Sequence, residues 1–180
     1  ATSGLATFSS FTMQGTAAST FALQFSIASP ALSVSVTNFQ LQAGANSQLL
    51  VTRAAASATN GSAFGTQPQV SWADADGNIT NTTGQITVAV TSPGVGGKST
   101  VLSGTTAVSS SAGTTTYSGL TLTGGADTYT LTYSATGVTN ATQTITVSAG
   151  AATKLALTTS AAGFVNRANF TTQPVITVQD

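Results

Sequence analysis

Apolar residues recur at every second position along much of this 180-residue chain. Tyr129, Leu131 and Tyr133 alternate with Thr128, Thr130 and Thr132. Ile145 and Val147 alternate with Thr144 and Thr146, and Ile86, Val88 and Val90 with Gln85, Thr87 and Ala89. A period of two marks a strand with one buried face, and Thr, Val, Ile, Phe and Tyr suit a pleated surface. Turn residues separate the runs at Asp76-Gly77-Asn78, Gly94-Val95-Gly96-Gly97, Gly124-Gly125 and Gly137. The pattern predicts strands near 48–54, 68–74, 84–91, 100–108, 115–122, 127–135 and 142–149. Pro68 and Pro174 open their strands, where a missing N–H costs least. Ala54-Ala55-Ala56 and Ala161-Ala162 favour helix but lack amphipathic context, so they read as loop. Seven short strands with closely spaced turns predict an antiparallel β-sandwich.

The pattern also recurs. Residues 47–74 align without a gap on 153–180, with ten of 28 positions identical. Phe64-Gly65-Thr66-Gln67-Pro68 falls on Phe170-Thr171-Thr172-Gln173-Pro174, and both stretches end in Asp, at 74 and 180. The other half repeats too: 116–122 resembles 7–13, 128–134 resembles 20–26, and 144–150 resembles 38–44. The offset drifts from 109 to 106, so two small indels intervene. Residues 1–45 therefore read as the C-terminal half of one unit, 46–150 as a complete unit and 151–180 as the N-terminal strands of a further unit. A fragment of about 30 residues cannot make its own core. The expectation is an excerpt from a longer array rather than units completed by neighbouring chains, since the partial units lack the counterpart of 75–109.

Composition narrows the chemistry. The chain holds four Lys or Arg, four Asp, and no Glu, His or Cys; charged residues are 4% of it, against about 25% in ordinary domains. Ser–His and Cys–His couples are excluded, and paired carboxylates could come only from Asp. Zinc is disfavoured without His or Cys. A net charge of zero with no basic cluster argues against nucleic acid. No enzyme and no catalytic residue are expected. With 41% hydrophobic residues and a mean hydropathy of +0.25, the chain can bury a core instead of staying disordered. No apolar run reaches the roughly 18 residues of a membrane-spanning helix. Few charges also make stability nearly indifferent to salt and pH.

Candidate sites are few. Asp74, Asp76 and Asn78 place oxygen ligands on alternate residues of a tight loop, as calcium prefers, but the same residue types also make a plain turn. The twelfth loop position is Gln85 rather than Glu, so this is no EF-hand. Asn60, Asn78, Asn81, Asn140 and Asn169 each begin an Asn-x-Ser/Thr sequon, a mild excess over what this composition yields by chance. Gly97-Lys98-Ser99 resembles part of a phosphate loop, but Ser92 stands where the first glycine belongs, so the stretch reads as a turn. Trp72 alternates with Val70 and reads as core. The Thr-x-Thr runs at 128–132 and 142–146 read as the wet face of strands.

The motif Lys154-Leu155, then Phe170, Gln173, Pro174, Ile176, Val178 and Asp180, is followed in the complete unit by 117–122 and 129–135. It resembles the bacterial immunoglobulin-like repeats of large surface and adhesin-type proteins. That resemblance implies an all-β chain of tandem antiparallel immunoglobulin-like β-sandwiches, about seven strands per unit. It implies a secreted or cell-surface stalk, fibre or adhesin, with neighbouring repeats or identical chains as partners, and no catalytic residues. A neutral surface and strand edges without charged gatekeepers would favour packing into filaments. The alternative is a module that binds carbohydrate, such as a surface glycan, or calcium; no other cofactor is expected.

Overall fold

The computed structural model describes residues 4–92 and 100–180. The expected turn at 94–97 and Lys98 lie outside the described residues. Among the described residues the chain is all-β, with no helix and so none long and apolar enough to cross a membrane.

The N-terminal segment forms one antiparallel hairpin, β1 (Thr20–Ile27) with β2 (Leu32–Gln40). The central segment, 46–150, holds ten strands among the described residues. They are β3 (Gln48–Arg53), β4 (Ala58–Thr59), β5 (Gln69–Ala73), β6 (Gln85–Ser92), β7 (Val101–Ser103), β8 (Ala107–Ser109), β9 (Thr114–Thr116), β10 (Thr121–Thr123), β11 (Asp127–Ser134) and β12 (Ala141–Ser148). The C-terminal segment forms a second hairpin, β13 (Lys154–Thr159) with β14 (Val175–Gln179).

The central strands make a three-stranded sheet, β3-β5-β9, a five-stranded sheet, β4-β12-β11-β6-β8, and a short β10-β7 ribbon. One core joins them. Leu49, Val70 and Trp72 come from the smaller sheet. Ile86, Val88, Tyr129, Leu131, Tyr133, Ile145 and Val147 come from the larger, and Phe64, Tyr117, Leu120 and Leu122 complete it. The period of two explains the burial, because every second side chain of β11 and β12 points inward. Two sheets around one core fit a β-sandwich.

The expectation of seven strands is corrected to ten, and glycine is the reason for two of the breaks. The predicted strand 100–108 divides at Gly104 and 115–122 divides near Gly119, both at positive φ. A Cβ at Gly104 would stand 2.3 Å from the carbonyl oxygen of Gly119, so the backbones touch there. The alanine-rich loop contains the third addition: β4 pairs in parallel with β12, Ala58 opposite Val147 and Thr59 opposite Ser148. The strands at the margins of the larger sheet, β4 and β8, are only two and three residues long. Short edges offer little backbone for another chain to pair with, even without charged gatekeepers.

The C-terminal hairpin copies β3 and β5 in detail. Leu49 opposes Trp72 and Leu155 opposes Val178; Val51 opposes Val70 and Leu157 opposes Ile176. Each pair stands at the repeat offset from its counterpart, and both ladders slip at the same point, before Arg53 and before Thr159. A side bridge pairs Ala56 with Thr66 and, at the same offset, Ala162 with Thr172. In the N-terminal segment the rings of Phe8 and Phe25 lie 5.0 Å apart, at the aligned positions of Tyr117 and Tyr133, whose rings lie 5.7 Å apart.

Candidate functional site

Titratable side chains are dispersed. Among the described residues no three of His, Cys, Asp or Glu come together to hold a metal. The three tyrosines serve the core. Tyr117 donates to the carbonyl of Ile86 at 3.0 Å, Tyr129 to that of Gly125 at 2.6 Å and Tyr133 to Gln143 Oε1 at 3.0 Å. Burial pushes the Tyr117 hydroxyl far above its ordinary pKa; burial and then the charge of Tyr117 do the same for Tyr133.

The polar arrangement with most structure is built around Asp74. It follows β5, and 5% of its surface is exposed. Oδ1 accepts the backbone N–H groups of Asp76 at 3.0 Å and Asn78 at 2.8 Å. Oδ2 accepts Asn78 Nδ2 at 3.0 Å and the backbone N–H of Gly44 at 2.8 Å. The Asn78 side-chain amide and the Gly44 N–H are the main causes that lower its pKa from 3.8 to about 2, against the opposing pull of desolvation. Asn78 is equally occupied: its Oδ1 accepts the N–H of Ala17 at 2.8 Å, and its Nδ2 also donates to the Gly15 carbonyl at 3.0 Å. Gln14 donates to Asp76 Oδ1. The three residues weighed as calcium ligands thus share one turn, and N–H groups already fill both oxygens of Asp74. Four of those contacts reach back to residues 14–17 and 44, across the boundary expected near 45.

The arrangement recurs at the other expected boundary, near 150. Gly150 N–H donates to Asp180 Oδ2 at 2.8 Å, as Gly44 does to Asp74. Lys154 Nζ donates to the Asp180 carbonyl at 2.7 Å, as Gln48 Nε2 does to that of Asp74. Thr153 N–H reaches the Gln179 carbonyl and Ser47 N–H that of Ala73, both at 2.8 Å. All three pairs are related by the offset that relates the two hairpins. Asn60 Nδ2 also donates to Asp180 Oδ2 at 2.7 Å.

This geometry sorts the sequons. Asn60 and Asn78 have both side-chain atoms engaged: Asn60 Oδ1 accepts the Gly124 N–H at 2.9 Å while its amide holds Asp180. Asn81, Asn140 and Asn169 are exposed, so their amides are open to solvent. The outer face of the larger sheet carries cross-strand threonine pairs, with Thr128, Thr130 and Thr132 opposite Thr146, Thr144 and Thr142. Neither Gly44 nor Gly150 stands out in the sequence. The signal was the glycine and the aspartate kept at one spacing in two places, Gly44 with Asp74 and Gly150 with Asp180.

Compared with family models, curated proteins and solved structures, the chain matches none.

Proposed function

We propose that the chain is a structural segment of tandem immunoglobulin-like units in an extracellular stalk, fibre or adhesin. The observation that carries this reading is the recurrence, at one sequence offset, of the hairpin register and of the boundary bonds. Two others support the unit type. The strands taken in order as A, B and E (β3, β5, β9) share one sheet and those taken as C, F and G (β6, β11, β12) the other, as in immunoglobulin sandwiches. Tyr129, near the start of β11, bonds back four residues to Gly125, the geometry of a tyrosine corner. Trp72 departs from the antibody pattern, since it sits on β5 rather than on the C-like strand. A surface with few charges and many hydroxyl groups, on a core that needs no disulfide, suits an exposed spacer. Antibodies against the chain should label intact cells of its source without permeabilisation. Labelling only after lysis would reject the extracellular assignment.

A further inference from the structure

The geometry points to a fixed-angle coupling between successive units, with the Asp74 carboxylate as its latch. This rests on reading 1–45 as a neighbouring unit. Domains joined by a short linker move relative to one another by default. Here the linker is held. Gly44 N–H, in the strand-to-strand connection, enters Asp74 Oδ2, while the other oxygen of the same carboxylate is fixed by the N–H groups of Asp76 and Asn78. The latch is therefore set by its own turn before it meets the linker, so little side-chain freedom is lost on closing. A single point of attachment would leave a swivel. A second lies at Asn78, which takes the Ala17 N–H and gives to the Gly15 carbonyl. Two separated points leave only rotation about the line that joins them, and the contact of Gln14 with Asp76 adds a third. The next boundary repeats the central bond with the same length, has Lys154 in the place of Gln48 and adds Asn60 beside Asp180. Bonds to an ionised carboxylate are also stronger than neutral ones. An array jointed this way is a stiff rod rather than beads on a string.

The chain has no cysteine, so Ser35→Cys with Thr144→Cys permits two spin labels, one on either side of the boundary. The expected result is one narrow distance distribution. Gly44→Pro removes the donated N–H and should broaden it roughly twofold or more, towards the free motion of linked domains. Gly44→Ala keeps the N–H, and its Cβ meets Asp74 atoms at an ordinary 3.5 Å, so the distribution should stay narrow. A broad distribution in the parent chain, or a narrow one in Gly44→Pro, overturns the latch. Trp72 is the single tryptophan and reports unfolding of the central unit alone. If Gly44→Pro leaves its melting transition in place, the modular reading stands whatever the labels show. If that transition collapses, 46–150 is not an independent unit, and the modular reading fails instead.

Discussion

Two hairpins of this chain share a register and differ in almost everything that surrounds them. In β3–β5, Leu49 and Trp72 are 3% and 5% exposed; in β13–β14, the matching Leu155 and Val178 are 69% and 68% exposed. The strands, the slip in the ladder and the pairing partners are the same. What differs is the company: β6, β11 and β12 close over the first hairpin, and none of the described residues closes over the second. Alternation thus decides which face is apolar, and neighbouring strands decide whether that face is dry. A second contrast lies in the aromatics. Tyr117, Tyr129 and Tyr133 align with Phe8, Phe21 and Phe25, and each tyrosine hydroxyl has a buried or half-buried partner. The N-terminal segment has the rings without the hydroxyls, and Phe8 is 63% exposed.

Truncation at matched positions tests the contrast hardest. Leu49→Ala should destabilise the central segment by about 2–5 kcal/mol in urea unfolding, and Leu155→Ala by under about 1 kcal/mol. Equal losses would mean that the exposed hairpin is packed as tightly as the buried one. Trp72→Val, which installs the residue of the matching position, should cost about 2–4 kcal/mol, because it opens a cavity and leaves Ser110 Oγ without its indole donor. Tyr129→Phe asks how much the missing hydroxyls matter. Loss of the Gly125 bond should lower stability by about 0.5–1.5 kcal/mol, with the same readout.

Asp74 should depart from the indifference to pH expected of a chain with so few charges. The folded-state pKa of Asp74 lies below its ordinary value, so its contribution is fully present above about pH 4 and is lost as pH falls through about 2. Thermal melts between pH 5 and 2 should show that loss in the parent chain and a flatter profile in Asp74→Asn. The smallest effect expected is that of calcium. Millimolar calcium followed by chelator should leave the melting temperature unchanged, since N–H groups occupy the Asp74 oxygens. A reversible rise would restore the calcium-binding alternative.

Much of the architecture is legible because strand periodicity is local. The alternation around Tyr129 to Tyr133 and Ile145 to Val147 locates β11 and β12 and their inward faces to within a residue or two. Trp72 reads as core from its alternation with Val70, and it lies there. Three features escape for physical reasons. Gly104 and Gly119 break strands because their backbones meet in the fold though neither is a sequence neighbour of the other, which no local pattern records. β4 is two positions, Ala58 and Thr59, whose strand character comes only from pairing with the distant β12. The Asp74 turn is legible as a turn, but not its outward reach. Its partners at Gln14, Gly15, Ala17 and Gly44 are ordinary residues made specific by position.

The parallel contact between β4 and β12 also bears on how the chain would carry tension. A pull applied near residues 46 and 150 draws β4 backwards and β12 forwards along their common direction. The load falls first on β3, through its ladder to β5 and its parallel bridge from Gln48 to Thr139, and then in shear on the Ala58–Val147 and Thr59–Ser148 pairs and on the Asn60 N–H bond to Ser148, at 2.9 Å. Bonds lying across a force must fail together, whereas a hairpin pulled from its open end parts one bond at a time. The least conspicuous strand of the molecule thus joins β3 in resisting a stretch.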